Sequence, residues 1–170
     1  MNPTPPRFGQ VKGTIVDMVP AGFGNRRING CVQIVSLENE DGDPVNVILS
    51  PNTYVVDFET LSVGMQCTFW YLADAPMLLI YPPQYSAVVA TRDKNERMVD
   101  VSRYNQEMLN QEKTLMLKLD ASVDVRTTNN QYFQGSPADH DLVVIYETST
   151  RSIPAQTTPK KIVVLGGTGS

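Results

Sequence analysis

Met65-Gln-Cys-Thr-Phe-Trp-Tyr71 alternates strictly: Met65, Cys67, Phe69 and Tyr71 share one face of an extended chain, and Gln66, Thr68 and Trp70 share the other. Period two with Phe and Tyr on one side predicts a strand whose first face meets a core. Trp70, on the second face, reads as a cover for one end of the fold or as part of an interface.

Working outward, the same style recurs. Val11–Met18, Cys31–Leu37, Val45–Ser50 and Ala87–Thr91 are short runs rich in Val, Ile, Thr and aromatics, bounded by Gly, Pro, Asn and Asp. Val99–Ser102, Leu115–Asp120, Val123–Thr127, Leu142–Glu147 and Lys161–Leu165 continue the pattern. Asn39-Glu-Asp-Gly-Asp43 carries the Asp-Gly pair that favours a tight hairpin turn. Only Tyr104–Leu109 offers a helical turn or two, so the fold class expected is all-β.

Sliding the chain on itself by about 75 residues lays Leu61–Tyr71 over Ser136–Tyr146. Cys67, Phe69 and Tyr71 then meet Leu142, Val144 and Tyr146, so the core-facing parity agrees. Ala87-Val-Val-Ala90 falls over Ile162-Val-Val-Leu165. This predicts two tandem small β-barrels related by duplication, since closure removes the edges that many short strands expose; the order of strand, glycine-containing loop (Gly22–Gly30) and hairpin in the first unit resembles an OB-like barrel. The expected division is an extended, proline-stiffened linker over 1–10, a first unit over 11–90, a second over 87–165 and a flexible tail over 166–170.

Composition narrows the function. Fourteen Lys plus Arg against eighteen Asp plus Glu give a net charge of −4. Residues 1–85 hold 4 basic and 8 acidic side chains, while 86–170 hold 10 of each. An acidic first half without a Lys/Arg cluster argues against a duplex nucleic-acid partner, because neutralised phosphates supply most non-specific affinity. No run approaches the ~18 apolar residues of a membrane helix. The single histidine, His140, makes zinc and triad chemistry improbable. No catalytic residue, metal or cofactor is expected.

Ser50-Pro-Asn-Thr53 and Leu61-Ser-Val-Gly64 look like turn signals of exported barrel domains, and two longer phrases are more specific. Ile80-Tyr-Pro-Pro-Gln-Tyr85 and Thr150-Arg-Ser-Ile-Pro-Ala-Gln-Thr-Thr-Pro159 resemble an uncharacterised family of exported proteins from Gram-positive anaerobes. Its members have OB-like small-barrel units, and some carry stalk-type (copper amine oxidase N-terminal-like) repeats. The resemblance spans roughly 11–165 and implies an extracytoplasmic location, exported or lipid-anchored, with a leader removed; it implies no activity.

Several residue clusters carry groups capable of chemistry. Asp139-His140-Asp141 reads as the polar start of a strand, in a surface turn. Glu38-Asn-Glu-Asp-Gly-Asp43 reads as a solvated hairpin turn rather than a Ca²⁺ loop, since Pro44 and a strand follow where a bidentate Glu would be needed. Cys31 and Cys67 fall on strands separated by one other, and neither has a basic neighbour to activate it. Phe23, Arg26 and Arg27 in the glycine-containing loop, with Trp70, Tyr81 and Tyr85, make the candidate ligand surface: aromatics to stack and guanidiniums to grip. Tyr81 and Tyr85 also read as a rigid corner around Pro82-Pro83 that packs on the neighbouring unit. Arg151 and Gln156 mark the matching corner of the second unit.

The expected function is a non-catalytic exported or cell-surface binding or structural module, with cell-wall glycan or another protein as partner. An OB-type single-stranded nucleic-acid binder is the alternative, and a hydrolase with an unrecognised carboxylate site is the second.

Overall fold

The computed structural model describes residues 6–22, 29–76 and 79–166. It is all-β. The chain divides into two compact units, Phe8–Asp93 and a second that joins the segment ending at Arg7 to the chain from Lys94 onward.

In the first unit a single sheet takes the order β4-β7-β5-β1-β2-β3-β6. Its strands are β1 (Phe8–Ala21), β2 (Asn29–Glu38), β3 (Pro44–Leu49), β4 (Tyr54–Val55), β5 (Gln66–Leu72), β6 (Gln84–Ser86) and β7 (Val89–Arg92). The length of β1 lets it serve two neighbours. Phe8–Thr14 pairs antiparallel with β5, and Thr14–Ala21 pairs antiparallel with β2 across an irregularity between Ile15 and Asp17. A bulge of this kind bends a strand and raises its twist, which lets one strand turn from one partner to the next. The segment 84–92 does the same: β6 runs parallel to β3, and β7 antiparallel to β5. Pairing therefore leads from β1 through β2 and β3 to segment 84–92, then through β5 back to β1.

Turn chemistry fixes the corners. The Asn39 side-chain oxygen accepts from the backbone N–H of Asp41 (3.0 Å) and Asp43 (2.9 Å), and Gly42 supplies the positive φ of 80° that closes the β2–β3 turn. In Ser50-Pro-Asn-Thr53, Ser50 N–H donates to Thr53 Oγ1 (3.1 Å), Thr53 N–H donates to the Ser50 carbonyl (2.9 Å), and Thr53 Oγ1–H donates to the Ala87 carbonyl (2.8 Å). That motif ties the end of β3 to the chain between β6 and β7. The core gathers Ile15, Val35, Leu37, Val45, Val47, Leu61, Cys67, Phe69, Ala87 and Ala90, each large aliphatic or aromatic member contributing about 1.5–3 kcal/mol by leaving water.

The second unit contains β8 (Met98–Tyr104), β9 (Leu115–Leu117), β10 (Asp124–Thr127), β11 (His140–Tyr146), β12 (Ala155–Thr157) and β13 (Lys161–Val164). These form a four-stranded sheet, β10-β13-β11-β8, and a separate two-stranded ladder, β12-β9. Single bridges, Tyr104 to Asn110 and Leu109 to Met116, link β8 to β9 through the intervening turn. Its core gathers Tyr104, Met108, Leu115, Leu117, Leu142, Val144, Ile162 and Val164.

The all-β expectation holds, and the core parity read from Cys67/Leu142 and Phe69/Val144 is the parity observed. The finer division differs in detail: the first unit holds one seven-stranded sheet, and the second holds a four-stranded sheet and a two-stranded ladder. The division falls after Asp93, so 87–92 belongs to the first unit alone, and β1 starts at Phe8, inside the expected linker. No helical turn forms at Tyr104–Leu109. Asn105 Oδ1 accepts from the N–H of Glu107 and Leu109 (both 3.0 Å), and this local bonding competes with a helix.

Candidate functional site

Among the described residues of the first unit, a cleft of about 340 Å³ at the edge of the core is a candidate for a ligand, lined by Gln10, Val11, Lys12, Asn39, Glu40, Asp41, Val45 and Tyr85. Small-ligand clefts commonly have about this volume, an apolar floor and a few placed polar groups. Val45 belongs to the core, and Val11 and Tyr85 pack against it. Strand alternation sets Gln10 and Lys12 on the opposite face of β1 from Val11, both exposed. The β2–β3 turn delivers the other polar groups. Because two backbone N–H groups hold the Asn39 oxygen, its amide nitrogen is the atom turned toward other partners.

Tyr85 is half-buried and stacked on Tyr71, with ring centroids 4.2 Å apart. Tyr71 in turn lies across Gly9, its cross-strand partner: a Cβ at Gly9 would sit 2.2 Å from the Tyr71 ring. Burial first, then the adjacent Tyr85 phenol, raise the Tyr71 pKa above its ordinary value. Tyr85 also lines a smaller cleft of about 140 Å³ with Tyr71, Leu72, Ala75, Pro76, Gln84 and Ser86. On the other side, Lys12, Asn39 and Glu40 are shared with a cleft of about 280 Å³ that adds Gly13, Thr14, Glu38, Gln66 and Asp93.

Of the sequence-derived ligand residues, Phe23, Arg26 and Arg27 lie outside the described residues. Trp70 is 5% exposed and offers no open stacking face; its place on the polar parity of β5 made it look available. Tyr81 is exposed and follows exposed Leu79 and Ile80. Tyr85 does line a cleft, and it packs on Tyr71 of its own unit. Arg151 is exposed and Gln156 half-buried within β12. Gln10, Lys12, Asn39, Glu40 and Asp41 were not read as one site. The β1–β2 register, Thr14 opposite Glu38, brings them together, and register is invisible in the residues themselves.

One further expectation changes. Asp141 is not a surface-turn residue: it is buried, takes a hydrogen bond from Arg7 Nε at 2.7 Å and lies 3.7 Å from Arg103 Nη1. His140 Nδ1 lies 2.7 Å from the Ala138 carbonyl, and its ring meets Phe133 edge-on. Cys31 is exposed and Cys67 buried, with β1 between their strands and no disulfide joining them. Burial chiefly, with Asp93 next, pushes the Cys67 thiol up to about 11.

Within the second unit, Asp100 Oδ2 accepts from the hydroxyl of Tyr104, which is wholly buried, and from Asn110 Nδ2 at 3.3 Å. Asn110 Oδ1 accepts from the N–H of Thr114 (2.8 Å) and Leu115 (3.1 Å), which secures the connection into β9. Burial raises the Asp100 pKa despite the opposing effect of both donors. Among the described residues no group of three or more His, Cys, Asp or Glu converges as a metal site, and no helix is long and apolar enough to cross a membrane. No protein-family model, curated protein or solved structure matches the chain.

Proposed function

We propose that the chain is a non-catalytic exported or cell-surface binding module of two OB-like barrels, with cell-wall glycan as its ligand. The cleft beside Tyr85, an apolar floor under a rim of amides and carboxylates, is the observation that carries the binding reading. The barrel reading draws support from the order of pairing. In each unit the first strand (β1, β8) pairs antiparallel with a strand that comes late in the unit (β5, β11). The segment after that (84–92, 155–164) runs parallel to an earlier strand (β3, β9) and antiparallel to β5 or β11. Short parallel ladders also belong to stacked β-solenoids, but here the longest ladders are all antiparallel. Export rests on the resemblance carried by Ile80–Tyr85 and Thr150–Pro159.

A protein partner is the second reading, favoured by exposed Leu79, Ile80 and Tyr81 in the β5–β6 connection. A nucleic-acid strand fits poorly, since Glu40 and Asp41 stand against Lys12 in the cleft. Co-sedimentation with purified cell-wall sacculi tests the proposal: the protein should pellet with sacculi and stay soluble without them. Failure to pellet, with capture by a surface protein instead, would favour the second reading.

A further inference from the structure

We infer that the Tyr85 cleft is a carbohydrate subsite that takes a neutral pyranose and discriminates against acidic sugars. This rests on the binding-module reading and adds the place and the ligand class. A pyranose presents two kinds of surface: an axial C–H face that packs on an aromatic ring, and equatorial hydroxyls that both donate and accept hydrogen bonds. The cleft offers a counterpart to each. Tyr85 supplies ring surface next to the apolar floor of Val11 and Val45. The Asn39 amide nitrogen can only donate. The Glu40 and Asp41 carboxylates can only accept, and Gln10 can do both. Adjacent sugar hydroxyls satisfy such mixed, planar groups in a way that an apolar peptide side chain would not.

Preorganisation favours the same assignment. Binding loses affinity when loose side chains must be ordered. Tyr85 is already stacked at 4.2 Å on Tyr71, and Tyr71 is seated over Gly9. The β2–β3 turn is held by the two bonds to the Asn39 oxygen. The charge selects within the class. Glu40 and Asp41 outnumber Lys12 at the rim, and the adjoining cleft adds Glu38 and Asp93, so a uronate would meet like charge.

Calorimetric titration of the whole chain with tetra-N-acetylchitotetraose and, separately, with tetragalacturonate tests this. The neutral sugar should bind at least about tenfold more tightly than the acidic one. Tyr85→Phe should keep that binding, while Tyr85→Ala should weaken it about tenfold or more. Gln10→Ala, at an exposed position that leaves the core intact, should weaken it several-fold, so the test does not depend on how well Tyr85→Ala folds. Equal binding of the acidic sugar, no binding of the neutral one, or unchanged affinity in both alanine variants would overturn the inference. Sacculi that still pellet the protein in any of those cases would leave the binding-module reading standing; loss of both would remove both.

Discussion

The ring of Tyr71 lies across the α-carbon of Gly9 on the neighbouring strand, so closely that a methyl group at residue 9 would sit 2.2 Å from the ring carbon that bears the hydroxyl. A side chain at residue 9 would therefore have to displace the Tyr71 ring. Tyr71, held by that seat, supports Tyr85 at the cleft. Gly9→Ala should cost about 1–3 kcal/mol by forcing the ring aside. In a Tyr71→Ala background the same substitution should cost close to nothing. A double-mutant cycle by urea denaturation measures this, and a cost for Gly9→Ala that is equal in both backgrounds would contradict it.

Asp100, Tyr104 and Asn110 make the second unit sensitive to pH in a definite direction. The folded Asp100 pKa is raised above its ordinary carboxylate value. Protonation therefore favours the folded state: this contribution is fully present below the unfolded pKa and is lost as pH rises through the folded one. Asp100→Asn retains an acceptor for Tyr104 and Asn110 without the buried charge. It should be at least as stable as the parent at pH 7, and its relative advantage should shrink as pH falls toward 4. Asp100→Ala orphans two donors and should cost about 1–3 kcal/mol for each. Thermal melts across pH check the sign, and an Asn variant whose advantage grows on acidification would refute it.

Asp141 is buried against the Arg7 guanidinium at 2.7 Å, and the backbone N–H of Arg7, which an alanine would keep, donates to Gln111 Oε1 at 3.0 Å. Removing one partner of a buried pair leaves a charge with reduced compensation, which costs about 3–5 kcal/mol where burial is complete. Arg7 is partly open to water, and Arg103 remains near Asp141. Arg7→Ala should therefore cost toward the lower end, about 3 kcal/mol, and Asp141→Ala more than Asp141→Asn. Chemical denaturation reads the order directly; a neutral Arg7→Ala would show that the pair contributes nothing.

The two thiols should behave differently. Cys31 is exposed, whereas Cys67 is buried in the core with its thiol pushed up to about 11. Because the thiolate is the reacting species, native protein at pH 8 should show one fast thiol toward an aromatic disulfide reagent. The second should appear only on unfolding. Two fast thiols would contradict the packing of Cys67.

The strands and the face of β5 that meets the core were legible because hydrophobic alternation is local: Cys67 and Phe69 announce their side of the sheet within seven residues. The hairpin turn at Asn39–Asp43 and the Ser50–Thr53 corner were legible for the same reason, since side-chain-to-backbone bonding needs only near neighbours. Burial of Trp70 and of Asp141 was not, because each depends on partners far away in sequence; Arg7 is 134 residues from Asp141. The cleft was half legible. Tyr85 stood out as an aromatic at a proline corner, but Gln10, Lys12, Asn39, Glu40 and Asp41 become one surface only through the β1–β2 register.

Glycan binding in the Tyr85 cleft is tested most directly by an amide-resolved NMR titration of the uniformly labelled chain with soluble glycan fragments released from cell wall. Saturable shifts should concentrate at Gln10–Lys12, Asn39–Asp41 and Tyr85, be lost in Tyr85→Ala and be retained in Tyr85→Phe. Shifts clustered on the Leu79–Tyr81 connection or in the second unit, with the cleft amides unmoved, would contradict it.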